Sequence, residues 1–340
     1  MSMRTKIREY AYRALARKNK NFMESLVSSS LLAYRSLRQR LAASRHPLAA
    51  RLYLRAEDLR RSAAGWRHTF VTMDELLGWT SDWASVLPGS YDLVIGIPRS
   101  GLLVANIIAI KMGKPLSTPE LFLRGECWMG GNIKPPANFG KILLVDDSVS
   151  SGESMRKAAA AIRSRAPGAQ LTRAALIVGE NSAESADLSF KTIAAPRLFE
   201  WNMLHTKRGV LVCDLDGVIC ENCPPGCDAD EAAYTAWIKA ARPYLIPAFK
   251  VDYILSARLE RYRPETEAWL AAHGVDYGEL LLWDVKEKKD RNGFYSKYKI
   301  AALVKIKPDM VWESNSGQAR DIWDATRIPT LCTDTKVFYG

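Results

Sequence analysis

Between residues 91 and 180 the chain alternates short apolar runs with segments of helical character, and no other feature restricts its fold so far. "YDLVIGIP" has the continuous apolar character of a buried strand, and "GLLVANIIAIKMG" reads as a helix stopped at Gly113. "KILLVDD" repeats the strand, "SGESMRKAAAAIRSRA" the helix, and "RAALIVGE" the strand once more. Elements alternating at these lengths predict a mainly parallel sheet with helices on its faces, setting in near Trp66. Ligands of such sheets bind beyond the carboxyl ends of the strands. Two polar stretches fall there, "IPRSG" at 97–101 and "VDDSVSSGES" at 145–154.

The second stretch sets two carboxylates, Asp146 and Asp147, side by side at the end of an apolar strand. Adjacent anions repel and favour water, so this placement points to a ligand with hydroxyls or a cation. The backbone amides of Ser148, Val149, Ser150, Ser151, Gly152, Glu153 and Ser154 then lead into a helix, whose unpaired N–H groups and dipole favour an anion. Gly152 permits a tight turn, and Ser150, Ser151 and Ser154 add hydroxyls. Acids for two vicinal hydroxyls and a loop for a phosphate make a cradle for ribose 5-phosphate. The segment resembles the signature of type I phosphoribosyltransferases, with Ser151, Gly152, Glu153 and Ser154 standing for Thr-Gly-x-Thr. "VIGIPRSGLLVA" resembles the family's pyrophosphate loop, which would set Arg99, Ser100 and Gly101 at the leaving group.

That resemblance implies phosphoribosyl pyrophosphate (PRPP) as donor with Mg²⁺, and displacement at the anomeric carbon through an oxocarbenium-like transition state. Catalysis would come from neutralising the departing pyrophosphate under a mobile loop that excludes water. "RGECWMGGNIKPPANFG", 124–140, lies where the family carries that loop, and Arg124 and Lys134 are either its closing cations or surface charges. Ser150 stands where purine-specific members carry an aspartate, which puts a purine acceptor in doubt.

A second set of motifs follows "APRLFEWNMLHTKRG". "GVLVCDLDGVICEN" is a buried strand ending in Asp214, with Asp216 two residues on. A carboxylate that attacks phosphorus needs a cation to offset charge and a neighbouring acid to protonate the leaving oxygen. This resembles the first motif of the haloacid dehalogenase superfamily, with Asp214 as nucleophile and Asp216 as general acid and base. The remaining stations occur in order: Ser256 in "VDYILSAR" for phosphate, Lys297 or Lys299 in "SKYKIAALVKI" as the cation, and Glu313 and Asn315 in "DMVWESNSGQARDI" at the metal, which Asp214 and Asp216 would share. Little chain separates Asp216 from Ala257, so only a minimal cap fits, and an open site suits a phosphate displayed on a large molecule. Cys220, Cys223 and Cys227 have spacing open to zinc, but a fourth ligand is not evident beyond Cys213 or Asp228, so a metal-free loop is the preferred reading.

The net charge of +11 resembles a nucleic-acid footprint until it is located. Residues 1–61 hold 15 of the 48 basic residues and 4 of the 37 acids, so the rest of the chain is balanced. That arm reads as basic amphipathic helices, "FMESLVSSSLLAYRSLRQRLA" among them, which either meet anionic lipid headgroups or pack on the next domain. No signature for reading bases accompanies it, so no nucleic-acid partner is expected. Without an apolar stretch near the roughly 20 residues of a bilayer span or a signal core, and with six cysteines too few for a disulfide framework, the expected compartment is cytoplasmic.

The sequence thus predicts an α/β protein with two doubly wound domains, a phosphoribosyltransferase-like one at 66–205 and a haloacid-dehalogenase-like one with a minimal cap at 206–340, preceded by a basic helical arm at 1–65. In this order the domains resemble the dual-domain ribofuranosyltransferases of bacterial surface-polysaccharide assembly. That resemblance implies 5-phosphoribosyl transfer to a hydroxyl of a lipid-linked glycan, then removal of the 5-phosphate, with Mg²⁺ in both domains and peripheral membrane contact through the arm. A nucleobase phosphoribosyltransferase with nucleotidase activity and a PRPP-sensing regulator are the alternatives. Glu120, Glu153 and Asp187 are conceivable bases for the acceptor hydroxyl.

Overall fold

The computed structural model describes residues 69–130, 139–194, 197–207, 209–227, 230–285 and 293–340. The basic arm, Lys134 and Asp228 lie outside the described residues. Residues 67–340 form one compact unit that carries two extended parallel sheets.

A short strand β1 (Thr69–Val71) leads into helix α1 (Met73–Ala84), which opens on a capping box in which the Thr72 side chain and Glu75 satisfy each other's backbone N–H groups. The first sheet contains β2 (Leu93–Gly96), β3 (Leu116–Ser117), β4 (Lys141–Val149), β5 (Gln170–Val178) and β6 (Leu188–Thr192). Its strands are all parallel in the order β3-β2-β4-β5-β6, so the winding direction reverses between β2 and β4. Helix α2 (Ser100–Met112) follows β2 and stops at Gly113 in the left-handed conformation, α3 (Pro119–Leu123) follows β3, and α4 (Glu153–Arg165) follows β4. Because side chains alternate along a strand, Val94, Leu143 and Val145 pack with Val104 and Ile108 of α2 on one face. Leu93, Ile95, Ile142 and Leu144 pack with Met155, Ala159 and Ile162 of α4 on the other.

Strand β7 (Arg197–Phe199) pairs in parallel with β1 and leads to the second sheet. This contains β8 (Leu211–Cys213), β9 (Val251–Leu259), β10 (Tyr277–Trp283), β11 (Met310–Glu313), β12 (Thr330–Cys332) and β13 (Val337–Tyr339). The order is β10-β9-β8-β11-β12-β13, parallel except for the antiparallel β12 and β13, and it reverses between β8 and β11. Helix α5 (Glu231–Ala240) is the one long helix described between β8 and β9, α6 (Arg263–Ala272) joins β9 to β10, and α7 (Tyr295–Ile306) and α8 (Ser316–Thr326) flank β11. Val212, Leu255 and Val311 pack with Leu303 of α7 and Ile322 of α8 on one face, and Cys213, Ile254 and Trp312 with Trp269 and Leu270 of α6 on the other.

The mixed α/β architecture with parallel sheets agrees with the alternation in the sequence, while β3, β6 and β7 were not legible there. No described helix is long and apolar enough to cross a membrane.

Candidate active sites

The first site lies at the point where the first sheet reverses its winding, and there the loops after adjacent strands part and leave a crevice. The loop after β2 brings Ser100, whose Oγ donates to Asp147 Oδ1 at 2.7 Å. Both acids lie inside β4, which runs two residues past the expected end to Val149, and both are buried. Asp146 Oδ1 accepts the Asp147 N–H at 3.0 Å. Burial, then the neighbouring Asp147 charge, pushes the Asp146 carboxyl up to about 8. Among the described residues no Lys or Arg is ion-paired with either acid, so the pair has negative charge to offer a cation or ribose hydroxyls.

Glycine is demanded at two points of this crevice. A Cβ on Gly101 would lie 2.6 Å from Asp146 Oδ1 and 2.9 Å from its Cα, so α2 approaches β4 this closely only without a side chain. Gly152 begins α4 with φ +72°, and a Cβ there would meet Ser185 Oγ at 2.3 Å. Neither α2 nor α4 is capped by the side chain of its N-cap residue, and of their first N–H groups Leu102 donates to the Arg99 carbonyl at 3.2 Å.

Two residues that sequence reasoning missed complete the loop. Buried Arg197 donates to the Val149 carbonyl at 2.8 Å and to Ser150 Oγ at 3.0 Å. Trp201 donates its indole N–H to Asp147 Oδ2 at 2.8 Å while stacking on Phe199 with ring centroids 4.6 Å apart. Ser151 Oγ accepts the Glu153 N–H at 3.4 Å, and Ser148 and Ser154 are half-buried and exposed respectively. Arg99 and Arg124 are exposed, and residues 131–138 of the expected mobile loop lie outside the described residues. Of the conceivable bases, Glu153 pairs with Lys157, Asp187 is held below the usual carboxylate range by its hydrogen bonds with Arg173, and Glu120 begins α3.

The second site lies at the reversal of the second sheet, between β8 and β11. Asp214 Oδ1 accepts the Leu215 N–H at 2.9 Å, and its Oδ2 lies 2.8 Å from Lys299 Nζ. The same ammonium lies 2.6 Å from Glu313 Oε2, so one buried cation joins two buried acids. Burial, then Glu313, raises the Asp214 carboxyl well above its usual range, with Lys299 working in the opposite direction. Asp334 is also raised, by burial and by Glu313. Gly217, at φ +81°, lets the turn after Asp216 pass Ser314, whose Oγ a Cβ would meet at 2.4 Å.

Here the structure corrects several expectations. Lys299 is the lysine at the acids, while Lys297, two residues earlier on α7, lies over the Phe294 ring instead. Asn315 does not face the cluster as a free ligand: its Oδ1 accepts the Gly317 and Gln318 N–H groups at 3.0 Å and caps α8. Glu313 is committed to Lys299 and, through Oε1, to the Asn315 N–H at 2.9 Å. Asp216 is gripped by Arg258, whose Nε lies 3.1 Å from each carboxylate oxygen and whose Nη2 is 2.6 Å from Oδ1. The four proposed metal ligands are therefore engaged elsewhere, and this donor set as arranged does not fit a divalent cation. Among the described residues no group of three or more His, Cys, Asp or Glu could hold one.

Arg258 is the second site's missed residue. It is fully buried, reaches Thr266 Oγ1 and Cys220 Sγ at 3.3 Å each, and lies over the Trp237 ring. Its backbone N–H donates to Ser256 Oγ at 3.1 Å, and that hydroxyl is itself buried. The three loop cysteines do not converge: Cys223 and Cys227 form a disulfide, and Cys220 is buried against Asp216 and Arg258. The zinc alternative therefore has no ligand set among the described residues.

No family model matches the chain. Over 74 residues it is 35% identical to the orotate phosphoribosyltransferase of Sulfurisphaera tokodaii, a stretch of 22% of this chain and 37% of that one. The chain thus spans little more than a third of the curated relative it matches. Among solved structures, the Helicobacter pylori xanthine-guanine-hypoxanthine phosphoribosyltransferase aligns over 40% of this chain and 95% of its own, with a TM-score of 0.33 at 14% identity. The orotate phosphoribosyltransferase of Aeropyrum pernix aligns over 35% and 76%, with a TM-score of 0.27 at 26% identity.

Proposed function

We propose that the first site transfers a 5-phosphoribosyl group from PRPP and that the second hydrolyses the 5-phosphate, so that the chain delivers plain ribofuranose to a glycan hydroxyl. The observation that carries the first half is the crevice where Ser100, Gly101 and two buried acids meet beside the glycine that begins α4. The local likeness to an orotate phosphoribosyltransferase supports it. In this reading the amides from Ser148 to Ser154 hold the 5-phosphate, and Asp146 and Asp147 hold the ribose hydroxyls. Arg99, Ser100 and Gly101 face the pyrophosphate. Mg²⁺ bound with the donor would neutralise the leaving group, and the raised proton affinity of Asp146 fits a position beside such a cation. Displacement on the opposite face inverts the α-configured donor and gives a β-ribofuranoside.

For the second half, Asp214 attacks phosphorus with Lys299 offsetting its charge, and the phosphoaspartyl group is then hydrolysed. Asp216 serves as proton donor to the 5-oxygen and then as base for water, a role that requires its grip by Arg258 to open. A lipid-linked glycan as acceptor accounts for the basic residues of 1–61, which would hold the enzyme at the cytoplasmic face of the membrane. Deleting 1–61 should then abolish sedimentation with anionic vesicles, and unchanged sedimentation would refute that part.

The test is an Asp214→Asn chain incubated with PRPP, Mg²⁺ and a panel of glycan and nucleobase acceptors, read by mass spectrometry. A glycan that gains one phosphoribosyl unit, which the unchanged enzyme converts to a ribosyl unit, supports both steps. A gain on a base alone replaces the acceptor with a nucleobase, and donor binding without any product makes the chain a sensor.

A further inference from the structure

Arg197 and Trp201 lie outside every recognised motif, yet they touch the ribose-phosphate loop and one of its acids. Both come from one short piece of chain, β7 and the turn that follows it. That piece is anchored on two sides. Along β1 and β7 the side chains alternate: Val71 and Phe199 pack into the core of the first sheet, and Phe70 and Leu198 into the core of the second. Phe70 stacks on Phe338 of β13 with centroids 6.4 Å apart. Glu200, between the two functional contacts, accepts the Met73 N–H at 2.6 Å and pairs with Lys336 at 3.0 Å, the latter from the turn joining β12 to β13.

Building on the reading of the first site given above, we infer that Arg197 and Trp201 are positioning residues for the donor, delivered by a strand pair that the second sheet holds in place. Arg197 fixes the phosphate loop through the Val149 carbonyl and Ser150 Oγ. Trp201 and Ser100 each take one oxygen of Asp147, so the rotation of that carboxylate is set before ribose arrives. Neither residue touches the reacting atoms; each acts through a group that does. Donor binding in the first half thereby depends on packing contributed by the second.

The test uses the full chain and titration calorimetry with PRPP and Mg²⁺. Trp201→Phe keeps an aromatic ring on Phe199 but loses the N–H along with part of the indole, so affinity should fall roughly tenfold to a hundredfold, the value of a hydrogen bond to a charged group, with the chain still folding cooperatively. In a chain labelled with 5-fluorotryptophan, the resonance missing from Trp201→Phe should shift on adding donor. Phe338→Leu, remote from the loop but against Phe70, should speed amide exchange at 150–152 and weaken the donor severalfold. Ile322→Val, on the opposite face of the second sheet, should do neither. Unaltered affinity in Trp201→Phe overturns the role of Trp201, and equal effects of Phe338→Leu and Ile322→Val overturn the dependence on the second sheet. If the unchanged chain binds no donor, the reading of the site falls. Amide exchange at 150–152 in Arg197→Met against the unchanged chain then still decides the positioning: faster exchange upholds it and equal exchange sinks it.

Discussion

Lys299→Met tests whether a single buried ammonium holds the second site together. Its Nζ lies 2.8 Å from Asp214 and 2.6 Å from Glu313, and the three side chains are at most 9% exposed. At an effective dielectric of about 20, two opposite charges at ~4 Å attract by about 4 kcal/mol, and both contacts here are shorter. Much of this gain offsets the cost of removing three charges from water, so the net loss on deleting the cation should be about 3–5 kcal/mol. Urea unfolding followed by tryptophan fluorescence reads it as a lower midpoint at unchanged slope. Adding Glu313→Gln should recover about half, because it removes one of the two stranded charges. The pH dependence has a definite sign. Asp214 already has a raised carboxyl, so its proton stabilises the fold at low pH and that contribution is lost as pH rises. Without Lys299 nothing opposes this rise, and the variant should gain stability on going from pH 8 to pH 5. A Lys299→Met chain as stable as the parent, or a double variant less stable than the single one, would refute the argument.

Gly101→Ala drives a methyl group into the backbone of Asp146 and should cost about 1–3 kcal/mol by overpacking, seen in thermal melts, together with loss of donor binding. Gly152→Ala should destabilise by more than about 1 kcal/mol, and Ser185→Gly in the same chain should relieve the clash but not the left-handed backbone penalty. Asp146 is pushed up to about 8, so in the absence of ligand its contribution to stability is complete below the ordinary carboxylate range and disappears as pH climbs through about 8. Asp146→Asn should flatten that slope in a series of urea titrations, and a slope that survives the substitution would show that another group carries it.

What could be read in the sequence was local. The apolar runs of β2, β4, β5, β8, β9 and β11 are buried on both faces and so read as continuous hydrophobic strands. The acids and glycines at their ends are also short-range signals, since the turn after a strand is built from the next few residues. Arg197, Trp201 and Arg258 could not be found this way, because their partners lie 47, 54 and 42 residues away and any Arg or Trp reads equally well as core or surface. The choice between Lys297 and Lys299 was open for a related reason. Two residues along a helix rotate a side chain to nearly the opposite side, and only the packing of Leu303 and its neighbours on the second sheet fixes which side faces Asp214. The edge strands β3 and β6 bury too little apolar surface to leave a pattern.

The strand pair β1 and β7 bears on why the two sheets share one compact unit. Phe70, Leu198 and Met203 are each less than 10% exposed in a core made mostly by the second sheet, although they flank elements that serve the first. Burying one such side chain contributes about 1.5–3 kcal/mol, so the three together contribute up to roughly 5–9 kcal/mol. That is comparable with the whole stability of an ordinary domain, about 5–15 kcal/mol. Cutting the chain between the sheets would expose these side chains and release the segment that carries Arg197 and Trp201. The sheets at 67–340 therefore form one compact unit through an interface that neither half can lose cheaply, and the segment supporting the first crevice is part of that interface.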